Sequence, residues 1–245
     1  MFYDPVESDF YAWCVERLLR SEVAARYLSH GIVELGAGTG LPIAAALSRC
    51  EATVPVRGFE RDPKSFQVAS RLVAAKAPPG YTVEQGDFFE RGVDGPERVA
   101  VANPPYLAAP SGDTGTPELW GGESGAEVTN RLLSGPFDVL MLMVASIADP
   151  LGVIDHAQRS GYTVADWCVR PIAFGRHSRE PGVHRRVREL RADGRAFSSE
   201  AGYLLAGVTW LRDPTDPGHT PATVDMNADV LRRVMVTAAE PERVS

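Results

Sequence analysis

Apolar positions recur along this chain with two periods, and the periods alternate. Residues 8–28 place Phe10, Trp13, Cys14, Arg17 and Leu18 at helical spacing, with Ser8 or Asp9 as the expected cap. Residues 31–35 form a short apolar strand that runs into a glycine-rich turn. Residues 41–50 then read as an alanine-rich helix with Pro42 in its first turn, where proline is tolerated. The same strand-then-helix pattern continues with a strand at 53–59 and a helix at 63–77, closed by Pro78-Pro79-Gly80. Further strands are expected at 81–84 and 98–102, followed by a Pro-, Gly-, Ser- and Thr-rich loop over 107–122. A helix at 126–134, a strongly apolar strand at 137–146, a helix at 149–160 and strands at 162–174 and 202–211 complete the pattern.

Strand and helix alternating through five units predict a parallel, doubly wound sheet. Between the last two strands lies only 175–201, which fits an antiparallel ending and contains a helix over 183–192. The expected organisation is one domain over residues 1–212, with 175–201 as a basic insertion before the last strand. Residues 213–245 read as a Pro- and Asp-rich linker and a tail with a last helix at 227–238.

With 44% hydrophobic and 23% charged residues, the 245-residue chain has the composition of a soluble globule. Its net charge of -7 argues against a generic nucleic-acid binder. The balance is uneven, since residues 170–195 hold eight arginines against Glu180, Glu189 and Asp193, which leaves the rest of the chain strongly acidic. A basic patch on an acidic body suits either contact with an anionic group or a solvated helix face. Cys14, Cys50 and Cys168 are widely spaced and form no CxxC pair, so neither a disulfide framework nor a metal site is expected. The start of the chain lacks the features of a signal peptide, and no apolar run is long enough to span a bilayer. Together these predict a reduced, cytoplasmic protein without membrane contact.

Candidate chemistry sits at the ends of the predicted strands. Glu34-Leu35-Gly36-Ala37-Gly38-Thr39-Gly40 follows the first strand and opens a helix, the context in which glycines let a backbone approach a ligand closely. Glu60 ends the second strand twenty residues past Gly40, where a carboxylate can accept from ribose hydroxyls. Asp87 ends the third strand, placed to accept from an adenine amino group, with Phe88 to pack on the ring. Asn103-Pro104-Pro105-Tyr106 follows the fourth strand. There the Asn103 side-chain carbonyl and the Pro104 backbone carbonyl can accept from the N–H groups of a planar nitrogen and turn its lone pair toward an electrophile. Tyr106 can stack on a planar substrate or face a cation.

These residues resemble the class I S-adenosyl-L-methionine (SAM) dependent methyltransferases. Glu-x-Gly-x-Gly-x-Gly is the first motif of that family, and (Asn/Asp)-Pro-Pro-(Tyr/Phe) belongs to members acting on nitrogen. The wider resemblance is to the release-factor glutamine N5-methyltransferase (HemK-like) family, and to its short members that lack an N-terminal substrate domain. Residues 3–10, Tyr-Asp-Pro-Val-Glu-Ser-Asp-Phe, look like that family's opening segment, and Trp120-Gly121-Gly122-Glu123-Ser124-Gly125 resembles its lid. The resemblance implies a seven-stranded Rossmann-like sheet and bound SAM, with Glu7 and Glu34 near the methionine end of the cofactor. It departs at 175–201 and beyond Arg212.

An insertion at the substrate mouth suits closure over a small acceptor. Arg176 and His177 from the insertion are candidate substrate contacts, and Tyr3, Phe10, Tyr11 and Trp13 can wall the pocket. The leading expectation is an N-methyltransferase acting on a small amine or amide. A protein glutamine is the next acceptor, and nucleic acid ranks below both. Two other readings stay open. SAM can be the sole substrate, cyclising with release of methylthioadenosine, or the chain can be a catalytic subunit that needs a small partner protein. A homodimer is also compatible with the sequence.

Overall fold

The computed structural model describes residues 4–110, 117–212 and 225–239. The elements in chain order are α1 (Pro5–Leu19), α2 (Glu22–Leu28), β1 (Ile32–Leu35), α3 (Leu41–Arg49), β2 (Val56–Glu60), α4 (Pro63–Lys76), β3 (Tyr81–Gln85), α5 (Phe88–Arg91) and β4 (Val99–Ala102). There follow β5 (Leu107–Ala108), β6 (Trp120–Gly122), α6 (Glu127–Leu133), β7 (Val139–Ala145), α7 (Pro150–Arg159), β8 (Thr163–Ala173), α8 (Pro181–Ala192), β9 (Gly202–Leu211) and α9 (Met226–Thr237). Seven strands form one sheet in the order β3-β2-β1-β4-β7-β9-β8, and β5 pairs with β6 in a separate ribbon.

The pairs β3–β2, β2–β1, β1–β4 and β4–β7 are parallel. Central parallel strands are covered on both faces, which is why β4 reads Val-Ala-Val-Ala and β7 Val-Leu-Met-Leu-Met-Val-Ala with every residue buried. β9 runs against β7. Arg212 N donates to Asp138 O at one end and Ser146 N to Leu204 O at the other, so one strand ascends as the other descends. Phe174 N donates to Ala201 O, which pairs the end of β8 with the start of β9, so these two strands are antiparallel as well.

The chain divides into two compact units. The first comprises Met1–Asn103, Gly135–Leu142 and Thr209–Arg212, and the second Pro104–Ser134, Met143–Val208 and Asp213–Ser245. In the first, the chain steps outward from β1 to β2 and β3, then returns to β4 on the other side of β1. The carboxyl ends of β1 and β4 thus flank a topological switch point, where open sheets of this type bind ligands. In the second, β8, α7 and α9 pack together. Asp225 caps α9 and its Oδ2 accepts from Val164 N of β8 at 2.9 Å.

Two expectations change. The helix over 8–28 is two helices. Asp4 caps α1 by accepting from Val6 N (2.8 Å) and Glu7 N (3.0 Å), with Pro5 in the first turn, so the start lies upstream of Ser8 and Asp9. Ser21 then restarts the helix by accepting from Ala24 N. A serine oxygen that competes for backbone donors favours such a break over a helix interior. The loop over 107–122 also contains more order than its composition suggested, namely the β5–β6 ribbon and a 3-10 turn at Pro117–Leu119. The 213–223 linker falls outside the described residues.

Candidate active site

The glycine loop of the first unit is held almost entirely by its own strand and the next. Gly36 N and Ala37 N both donate to Phe59 O at 2.9 Å, Gly38 N donates to Glu60 Oε2 at 2.9 Å, and Gly40 N donates to Ala37 O at 2.7 Å. Gly36, Gly38 and Gly40 have φ of 70°, 57° and 72°, a region side chains resist. The three differ in what surrounds them. A Cβ at Gly40 would lie 2.5 Å from Val73 Cγ2, so Gly40 lets the loop sit on α4. At Gly36 a Cβ would meet nothing within 4 Å, and at Gly38 only Gly36 O at 3.9 Å. These two present bare backbone to open space, as a loop that cradles a ligand must.

Glu60 stands where the sequence placed it, at the end of β2. Its Oε2 takes the Gly38 N–H and its Oε1 the Asp62 N–H at 2.9 Å, so it shapes the loop, and each oxygen retains a lone pair for a hydroxyl donor. Asp87 caps α5, with Oδ1 accepting from Phe89 N at 2.8 Å. Phe88 needs correction as an adenine-packing ring. It is 2% exposed and enclosed by Phe59, Phe89 and Phe137 at centroid distances of 6.1, 5.4 and 6.1 Å, so it fills the core. Phe10 is corrected in the same way. It is buried on α1 and stacked on Trp13 at 6.0 Å, so it forms no exposed substrate wall. Glu7 is buried in the first turn of α1. Tyr3 lies outside the described residues.

Glu34 is almost completely buried, and both of its oxygens accept from phenols. Tyr11 of α1 donates to Oε1 at 3.2 Å and Tyr81 of β3 to Oε2 at 2.7 Å. Gly58 of β2 makes room for this carboxylate, since a Cβ there would be 3.1 Å from Oε2. Burial raises the Glu34 carboxyl to about 7, the two phenol hydrogen bonds act to lower it, and the nearby Glu60 charge adds to the rise. The Tyr11 and Tyr81 phenols are pushed well above their ordinary values, first by burial and then by the Glu34 charge. Tyr81 was legible in the sequence only as the first residue of a strand, and Tyr11 only as a pocket wall.

Asn103 leaves β4 level with Gly36 of β1, because Leu35 pairs with Ala102. Its Oδ1 is buried, and no described residue donates to it. A buried carbonyl without a partner is uncommon and calls for a donor. Asn103 and the glycine loop therefore share one edge of the first unit.

In the second unit, Pro104 is buried and Tyr106 is half-buried. The Tyr106 hydroxyl lies 2.7 Å from that of Tyr203, with ring centroids 6.0 Å apart, and Phe174 packs on Tyr203 at 5.6 Å. The sequence reading missed Tyr203 and Phe174, which stand at the facing ends of β9 and β8. The segment from Gly121 to Gly125 presses on the backbone beside Tyr106. A Cβ at Gly121 would come within 2.5 Å of Pro105 O and 2.7 Å of Tyr106 Cα, and one at Gly125 would strike Tyr106 O. It thus buttresses Pro105 and Tyr106. Arg186 of α8 donates through Nε to Glu123 O at 2.8 Å, and Arg195 clamps Asp149 Oδ2 at 3.0 and 2.6 Å. His177 pairs with Glu180 at 3.1 Å, and Arg176 is exposed.

No family model matches the chain, and no curated protein matches it by sequence. Solved structures do. A candidate RNA methyltransferase from Pyrococcus horikoshii aligns with TM-score 0.55 at 14% identity, covering 86% of this chain and 83% of its own. TYW2 from M. jannaschii, solved in complex with AdoMet, aligns with TM-score 0.50 at 11% identity, covering 87% and 79%. Likeness at such identities is one of fold, and the chain has the class I methyltransferase, Rossmann-like fold. Among the described residues no helix is long and apolar enough to cross a membrane.

Proposed function

We propose that the protein is a SAM-dependent N-methyltransferase acting on a planar amino or amide group of a small molecule. The observation that carries this reading is the buried, unpartnered Oδ1 of Asn103, level with the open backbone of Gly36. The donor set suits SAM. Bare glycine backbone allows close approach, Glu60 retains lone pairs for ribose hydroxyls, and Asp87 stands at the end of β3 where an adenine amino group would need an acceptor. When bound, SAM would supply an electrophilic methyl group for a nitrogen lone pair, with the sulfonium sulfur leaving as a neutral thioether.

The chain's own part is positioning. Asn103 Oδ1 and the Pro104 carbonyl accept two hydrogens of the acceptor nitrogen. This draws its lone pair out of conjugation, fixes its direction and favours the positive charge that develops on nitrogen. Prolines on both sides of the Pro104 carbonyl keep that acceptor in place at little further cost in order. Tyr106, held by Tyr203 through a 2.7 Å hydroxyl contact, offers a fixed ring face to a planar acceptor. The net charge of -7 favours a small acceptor over a polyanion.

The test is incubation of the purified protein with SAM, alone and with panels of small amines and amides, followed by mass spectrometry. A glutamine-containing release-factor peptide is a separate arm. SAM should bind and persist alone, and yield S-adenosylhomocysteine with one acceptor class. Methylthioadenosine formed from SAM alone would replace this reading with the cyclase. Turnover confined to the peptide would move the acceptor to protein glutamine.

A further inference from the structure

Glu34 is an expensive residue to keep. It is 1% exposed, and its described partners are two neutral phenols, with no arginine or lysine among them. Burying an ionised carboxylate without a cation is strongly unfavourable, and a glutamine would meet the same shape at lower cost. The carboxylate lies on β1 two residues before Gly36, between Gly58 of β2 and Val101 of β4, with Tyr81 touching both it and the approach to Gly40. An ionisable carboxyl therefore lies beneath the glycine loop, where little water would screen its charge.

We propose that Glu34 is a charge-selective positioning residue, whose ionised carboxylate favours a cationic ligand on the glycine loop over the neutral analogue left after group transfer. The inference rests on the SAM reading above. SAM carries a sulfonium. S-adenosylhomocysteine carries a neutral thioether and is otherwise the same molecule, with the same ammonium and carboxylate. A fixed negative charge below the loop holds the substrate form and loosens the product form.

The preference must depend on pH. The titratable groups facing Glu34 are Tyr11 from α1, Tyr81 from β3 and Glu60 from β2. Burial keeps both phenols protonated through the neutral range, so Glu34 is the group of the cluster that changes charge there. A cation favours the ionised form, so SAM affinity rises with pH as Glu34 loses its proton. Affinity for S-adenosylhomocysteine lacks the sulfonium contribution. The sulfonium makes the SAM ammonium the more acidic of the two, and that contribution to the ratio is the same in wild type and Glu34→Gln, so it cancels between the two proteins.

The experiment is calorimetric titration of SAM and S-adenosylhomocysteine into the intact protein from pH 6 to 8.5, comparing wild type, Glu34→Gln and Tyr81→Phe. Ionisation of Glu34 should raise the SAM-to-S-adenosylhomocysteine affinity ratio of the wild type by about fivefold relative to Glu34→Gln across this range. Glu34→Gln should show the ammonium contribution alone. Tyr81→Phe removes the shorter hydrogen bond to the ionised carboxylate, so its rise should shift to higher pH. That variant also serves as the test if Glu34→Gln does not fold. A wild-type ratio that tracks that of Glu34→Gln with both ligands bound, or a Tyr81→Phe rise at the wild-type pH, overturns the inference and leaves the SAM reading standing. Failure of both ligands to bind overturns the SAM reading, and the inference with it.

Discussion

The glycine loop and the Tyr106 segment both leave the carboxyl end of a strand, yet they are held by different parts of the chain. The loop is fixed by Phe59 O, Glu60 and its own Ala37, all close to β1 and β2 in sequence. Tyr106 is fixed by Gly121 and Gly125 against its backbone and by Tyr203 at its hydroxyl, 97 residues away. One is a local device built mainly from backbone, and the other is a wall assembled from distant residues. The loop's geometry is thus set by φ angles and a few short-range bonds. The wall's geometry depends on several elements arriving together, and changes within the second unit should reach it without disturbing ligand binding at the loop.

The largest separation should come from Asn103→Ala. It removes an acceptor needed when charge develops on nitrogen, so turnover should fall by about two to three orders of magnitude. SAM affinity measured by calorimetry should stay within about twofold of wild type. Equal loss of both would merge the two regions and end the catalytic assignment of Asn103.

Next is the pH dependence of stability, which singles out the loop region. Glu34 has a raised folded value of about 7 against 4.5 for the free carboxyl. Its contribution to stability is therefore full below about pH 4.5 and is lost as pH rises through about 7. The difference of 2.5 units corresponds to roughly 3 kcal/mol as an upper bound. Thermal melts of wild type and Glu34→Gln should diverge between pH 5 and 8, with only the wild type losing this stability. Parallel curves would mean that the carboxylate does not titrate in that window.

The asymmetry between the two regions also explains what could be read from the sequence. Glu34 to Gly40, Glu60, Asp87 and Asn103 each sit at a strand end whose position follows from apolar periodicity, so their register could be seen before any contact was known. Phe88 and Phe10 were misassigned because an aromatic beside a functional residue looks the same whether it faces a ligand or the core. The Phe59, Phe89 and Phe137 neighbours that enclose Phe88 come from three places in the chain. The Tyr11–Glu34–Tyr81 cluster has 23- and 47-residue separations and no local signature. The glycines at 121 and 125 were visible as a lid motif. Their role as a buttress was not, because it depends on Tyr106 and Pro105 lying beneath them.

Gly125→Ala probes that buttress. Its φ of +82° disfavours a side chain, and the added methyl would strike Tyr106 O. The expected cost is about 1–3 kcal/mol of stability. Turnover should fall about tenfold or more through displacement of Tyr106, while SAM affinity stays near wild type. Loss of SAM binding in a folded Gly125→Ala protein would show that the second unit also controls the loop.

Arg186→Ala should have the smallest effect and gives the finest test of the contrast. Arg186 is the link through which the basic helix α8 reaches the buttress, by its Nε–H to Glu123 O at 2.8 Å, and its other contact is Glu189 at 2.9 Å. A partly exposed hydrogen bond of this kind contributes about 0.5–1.5 kcal/mol, and the Glu189 pair less. Removing the side chain should leave the melting temperature within a few degrees and SAM affinity unchanged. If α8 serves the acceptor region by holding Glu123, KM for the acceptor should rise severalfold with kcat nearly constant, and Arg186→Lys should restore part of the loss. If the helix were only a solvated basic face, neither parameter would move, and its arginines would then matter for solubility alone.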